Sequence, residues 1–127
     1  MPIRVRVLGS GTFMHSVFEG NVSDDDVREY AEKWAGAKNL SEDYLGLVDV
    51  RQMQARELSS PAIRDLAARF TAAQRGASRT AIVASPTVGY GLARMYQAER
   101  EGSGQEIQVF DEIEAALAWL GVDEIPG

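Results

Sequence analysis

Apolar residues recur along this chain with two periods, and each switch between them marks a new element. Ile3, Val5 and Val7 alternate with Arg4 and Arg6, which predicts a strand with one wet face. Gly9-Ser10-Gly11 then supplies a turn into a second strand near Phe13 to Glu19. The period lengthens after that. Val27, Tyr30, Ala31 and Trp34 stand at i, i+3, i+4 and i+7, the spacing of one helix face, with Ser23 as N-cap before Asp24, Asp25 and Asp26 and a stop near Gly36. Tyr44 to Val50 is nearly continuous in apolar character, as expected of a central parallel strand covered on both faces, and it is expected to end at Asp49-Val50-Arg51.

The second half repeats one unit. Leu58-Ser59-Ser60-Pro61 is a helix start in which Ser60 caps, followed by the stripe Ile63, Leu66, Ala67 and Phe70. A fourth apolar run from Arg79 ends at Ser85-Pro86, which leads into helical spacing at Val88, Leu92, Met95 and Tyr96. Ile107 and Val109 alternate, and Ile113, Ala116, Leu117 and Leu120 form a last helical stripe, with Asp111 and Glu114 placed as an acidic capping box. The predicted order is β-β-α-β-α-β-α-β-α. It is an α/β fold with an N-terminal β-hairpin and a mainly parallel mixed sheet covered by helices, because each later strand is separated from the next by a helix. One domain over residues 1–127 is expected.

Composition narrows the classes. At 127 residues with 45% apolar side chains, the chain is long enough to bury one core. A formal net charge of −6 repels phosphate backbones, so no nucleic-acid partner is expected. The absence of cysteine removes disulfides, thiolate zinc sites and thiol nucleophiles and points to a cytoplasmic setting. The apolar stretch at Met1 to Leu8 is too short for a signal peptide, and no segment has the length of an integral membrane span. No cofactor or metal is expected, since no ligand spacing for either is present.

Three segments carry a resemblance. Leu-Val-Asp-Val-Arg at 47–51, Tyr-Gly-Leu-Ala-Arg-Met-Tyr at 90–96 and Val-Phe-Asp-Glu-Ile-Glu-Ala-Ala-Leu-Ala-Trp-Leu at 109–120 look like the SpoIIAA-like branch of the STAS-like superfamily. The likeness covers nearly the whole chain. It implies a small regulatory or ligand-binding domain of the STAS or Sec14-like type, in which anti-sigma-factor antagonists carry a phosphorylatable serine in an Asp-Ser-x-Gly-like turn before the second helix. This chain departs there, with Val-Arg-Gln-Met-Gln-Ala-Arg-Glu-Leu-Ser-Ser between Asp49 and Pro61. Ser59 and Ser60 are thus phosphorylation candidates set against the plainer reading of a helix cap.

In a wound sheet a crevice opens beyond the carboxyl ends of the strands, which is expected to gather Asp49, Arg51, Ser59, Ser60, Ser85 and Thr87. Gly89 and Gly91 flank Tyr90 near a helix start, where bare backbone can approach an anion and Arg94 can close over it. Close helix packing is the competing use of those glycines, and a structural ion pair is the competing use of Asp49 with Arg51. His15 shares a strand face with Phe13 and Val17 and lacks a second histidine or nucleophile beside it in sequence.

Three functions remain open. The first is a non-enzymatic cytoplasmic regulatory module that docks another regulatory protein, using Leu92 to Tyr96 and the last helix, around which Asp111, Glu112, Glu114, Asp123 and Glu124 cluster. The second is a binder of a small apolar or anionic, lipid-like ligand in a groove at the carboxyl end of the sheet, lined by Met53, Met95, Tyr90 and Tyr96. The third, ranked last, is an enzyme using Asp49, Ser85 or Thr87. A homodimer through the Ile3 to Val7 strand or a small-residue helix face is a further expectation.

Overall fold

The structure, a computed structural model, describes residues 2–73, 76, 78–86 and 88–126. Its order is β1 (Ile3–Leu8), β2 (Phe13–Asn21), α1 (Asp24–Trp34), β3 (Leu45–Gln54), α2 (Ser60–Ala73), β4 (Arg79–Val83), α3 (Val88–Glu99), β5 (Glu106–Phe110) and α4 (Ile113–Leu120). The five strands lie in the sheet in chain order. β1 is antiparallel to β2, and β2 through β5 are parallel, as the sequence pattern predicts.

The wet-faced first strand is the edge, and its turn is tight. Gly9, Ser10 and Gly11 all adopt positive φ, at 58°, 56° and 93°. A side chain on Gly11 would sit 2.5 Å from the carbonyl of Asn39, so only glycine closes this turn. The near-continuous apolar strand is the middle one, but it runs four residues past Val50. Glu19, Gly20 and Asn21 of β2 pair with Gln52, Met53 and Gln54 beyond a register shift, so the ladder outlasts the apolar pattern.

Because each strand advances one place in the same direction, right-handed crossovers put all three connecting helices on one face. Val27, Tyr30 and Ala31 of α1, Leu66 of α2 and Ala93 of α3 share a core with Met14, Phe18, Val50 and Ile82. After β5 the chain turns under the sheet, where Ala116 and Leu120 of α4 pack on Phe13, Leu47, Ala81 and Val83. Strand alternation separates these two cores: Val48 and Val50 face the three-helix layer, while Leu47 faces α4.

The caps differ in part from expectation. Ser23 and Asp26 form a full capping box at α1. At α2 the capping residue is Ser59, whose Oγ accepts from the Ala62 amide at 3.3 Å, and Ser60 is the exposed first helical residue. At α4 the N-cap is Glu112 with no side-chain capping bond, so Asp111 and Glu114 do not form the expected box.

Candidate functional site

Between the sheet and the α1–α2–α3 layer lies a cavity of about 80 Å³. Small residues on both walls create it. On the floor, Ser16 of β2 and Gly46 of β3 stand where larger strand residues would reach up. On the roof, α3 turns inward Gly89, Leu92, Ala93 and Tyr96, so two of the four positions on its buried stripe are nearly bare. Met14, Phe18, Val27, Val48, Ile63 and Phe70 complete a mainly apolar wall.

The polar groups in that wall are hydroxyls and an amide. Ser16 Oγ and Tyr30 OH are 2.8 Å apart and buried. Tyr30 packs edge-on against Phe18 at 5.3 Å and tilted against Phe70 at 5.9 Å, which fixes its ring. At the amino end of the parallel strands, Tyr44, Thr80 and Gln105 line the same space. Burial holds the Tyr30, Tyr44 and Tyr96 phenols above their ordinary range, Tyr96 up to about 12, so all three stay protonated near neutrality. Arg100, 1% exposed, donates from Nη1 to Tyr96 OH at 2.7 Å and lines a smaller recess of about 40 Å³ with Ser41, Ser78 and Gln105. The two spaces share Tyr44, Phe70 and Gln105, so the apolar cavity has a polar end.

The structure divides the residues that the sequence grouped in one crevice. Asp49 and Arg51 lie on the α4 side of the sheet, in the same strand phase as Leu47. Arg51 donates from Nε to Asp49 Oδ1 at 3.0 Å and from Nη2 to Oδ2 at 2.7 Å, a two-pronged ion pair further closed by the Arg51 amide at 3.1 Å. Burial pushes the Asp49 carboxyl up, but these bonds and the Arg51 charge outweigh it and hold the carboxyl below its usual range. Tyr90, Gly91 and Arg94 lie on α3, across the sheet from that pair. Arg94 Nη1 donates to Tyr90 OH at 3.3 Å, and the space around Gly91 is open. Ser85 is half-buried just beyond β4, and Thr87 lies outside the described residues. Of the groove residues expected from the sequence, Met53 and Tyr96 line the cavity, whereas Met95 and Tyr90 are not in its wall.

The remaining candidates are tied into structure. Ser59 donates its amide and its hydroxyl to Asp24, both at 2.7 Å, which latches the start of α2 to the start of α1. The Ser59 hydroxyl, then its amide, holds the Asp24 carboxyl below its usual range. His15 sits half-buried opposite Arg6, on the α4 side of the sheet. Burial first, then Arg6, lowers its pKa, so it is a weak base. Among the described residues no group of histidine, aspartate and glutamate is arranged to hold a metal, and no helix is long and apolar enough to cross a membrane.

A family model described as SpoIIAA-like matches residues 13–121. The chain belongs to the SpoIIAA-like family. That span runs from the first residue of β2 to the residue after α4, so it contains every wall of the cavity. The fold is also similar to the crystal structure of an uncharacterised protein of the DUF3478 family with a SpoIIAA-like fold from Shewanella loihica PV-4. The two share 17% identity over 93% of each chain, with a TM-score of 0.63. No curated protein matches the chain. The SpoIIAA-like, STAS-type assignment read from residues 47–51, 90–96 and 109–120 thus holds for the fold.

Proposed function

We propose that this SpoIIAA-like domain is a non-enzymatic cytoplasmic regulatory module that acts by binding, and that the cavity beneath α3 takes its small ligand. The observation that carries this reading is a mainly apolar cavity of about 80 Å³, partly open to the surface, between the sheet and the helix layer, several times what one water needs, at roughly 10–15 Å³. An apolar cavity of about 150 Å³ elsewhere stays dry and admits benzene. The ligand that fits here is therefore small and mostly apolar, with at most one or two polar atoms directed at Thr80, Tyr44 and Gln105. A full acyl chain needs a pocket of about 300 Å³ or more, so the sequence-level idea of a lipid narrows to a compact molecule.

The walls support binding over chemistry. They offer tyrosines held in the neutral form and no paired acid and base. Asp49, the best carboxylate candidate for an enzyme, is committed to Arg51 on the far side of the sheet. Native mass spectrometry of freshly purified protein tests the reading. A reproducible small adduct that is lost in Ala93→Leu supports it, and a clean unliganded mass, with no binding on titration of small apolar compounds, overturns it.

A further inference from the structure

We propose that β1 is a docking edge for an extended segment of another protein in which large apolar residues alternate with acidic ones. The inference stands apart from the cavity. Among the described residues β1 pairs on one side only, with β2, and is the edge of the sheet. The Pro2 carbonyl accepts from the Glu19 amide, which sets the phase of this antiparallel ladder. Arg4 and Arg6 then bond to β2 through their backbones, and Ile3, Val5 and Val7 direct their N–H and C=O groups outward, ready for a further strand.

The two faces of that edge specify different side chains. Beside β1 on the helix side runs a groove of about 440 Å³ lined by the apolar Ile3, Val5, Tyr30 and Trp34 and by the charged Asp26, Glu29 and Lys33. A strand added to β1 inserts every second side chain into this groove, where apolar residues gain burial. On the other face the intervening side chains meet Arg4 and Arg6, both exposed. Arg4 pairs with Glu19 across the hairpin, and Arg6 makes no ion pair among the described residues. Acidic side chains opposite them complete the match.

The same arginines disfavour a second copy of this chain. The antiparallel pairings of β1 with itself that overlap most of the strand, those centred on Arg4, Val5 or Arg6, set an arginine directly opposite an arginine of the copy. Like charges placed so oppose pairing. The two-fold dimer through this strand that the alternation suggests is thereby weakened, and a hetero-partner is favoured.

The test uses two blocked synthetic peptides, one alternating valine with glutamate and one alternating valine with lysine, titrated against the whole chain and read by amide hydrogen exchange. The glutamate peptide is expected to bind, to protect the amides of Val5 and Val7, and to bind about tenfold or more tightly than the lysine peptide at low salt. Arg6→Glu reverses the preference. Val5→Pro removes one outward N–H without touching the β2 ladder, and abolishes binding while the fold persists. Equal binding of the two peptides, protection elsewhere than β1, no binding of either, or a stable dimer with β1 protected in the absence of peptide overturns the proposal. None of these results bears on occupancy of the cavity, which the Ala93→Leu comparison reads separately.

Discussion

Filling the cavity from its roof is the most direct perturbation of the core. Ala93 is 6% exposed and contributes only a methyl group to the wall, beside Gly89 and Leu92 on α3. At about 24 cal/mol per Å³ of residual void, an 80 Å³ cavity that is partly open to the surface withholds at most about 2 kcal/mol of packing. Ala93→Leu recovers part of that and orders one leucine side chain at about 0.5–1 kcal/mol. The expected net gain is at most about 1 kcal/mol. Urea unfolding measures it: with a slope of about 1–3 kcal/mol per M, the midpoint rises by at most about 0.3–1 M with the slope unchanged. A loss above about 1 kcal/mol would show that leucine is forced against a filled core, and the reasoning about the void would fail.

Other predictions follow from the same geometry. Ser16→Ala and Tyr30→Phe each strand one buried hydroxyl and should cost about 1–2 kcal/mol, while the double variant costs little more than either; strictly additive losses in urea unfolding would mean that water enters and partners the hydroxyls. The Tyr96 phenol is held at about 12 when folded, against about 10 when unfolded, so the unfolded chain releases its proton first. Stability should then hold up to about pH 10 and fall between about pH 10 and 12, by at most about 1.4 kcal/mol per pH unit for this group, and Tyr96→Phe should flatten the fall; identical alkaline profiles for both proteins would refute it. Gly91 has open space where a side chain would point and no positive φ, so Gly91→Ala should raise stability by about 0.5–1 kcal/mol in thermal unfolding and leave ligand binding intact, whereas loss of binding would revive the anion site at Tyr90 and Arg94. Ser59→Ala removes the cap of α2 and the hydroxyl's bond to Asp24 while keeping the amide's, and should cost about 1 kcal/mol; a neutral substitution would free Ser59 for the phosphorylation reading.

The elements were legible because their periods are clean. Alternation in Ile3 to Val7 and the stripe Val27, Tyr30, Ala31 and Trp34 translate directly into β1 and α1. The end of β3 was not legible, because Gln52 and Gln54 are held by backbone pairing that side-chain polarity does not report. The site was hidden for a related reason. Apolar periodicity marks large residues, so Val88, Leu92, Met95 and Tyr96 looked like the buried stripe of α3, while a void is made by the small ones, Gly89 and Ala93. Glycine and alanine four apart beside Leu92 and Tyr96 were the available signal. Asp49 and Arg51 follow each other by two on a strand and so share a face, and the structure shows the ion pair that this spacing allows. Which face they share depended on which side of the sheet the chain takes after β5, and α4 passing beneath the sheet is the deciding fact.

The central claim is that binding resides beneath α3. Titration of the isotopically labelled protein and of Ala93→Leu with a compact neutral compound smaller than benzene, followed by amide NMR shifts, tests it most directly. Saturable shifts centred on Ser16, Tyr30 and Thr80 are expected in the native chain and none in the filled variant. Shifts centred on Asp49 and Arg51 or on Tyr90 and Arg94, or equal binding by both proteins, would contradict it.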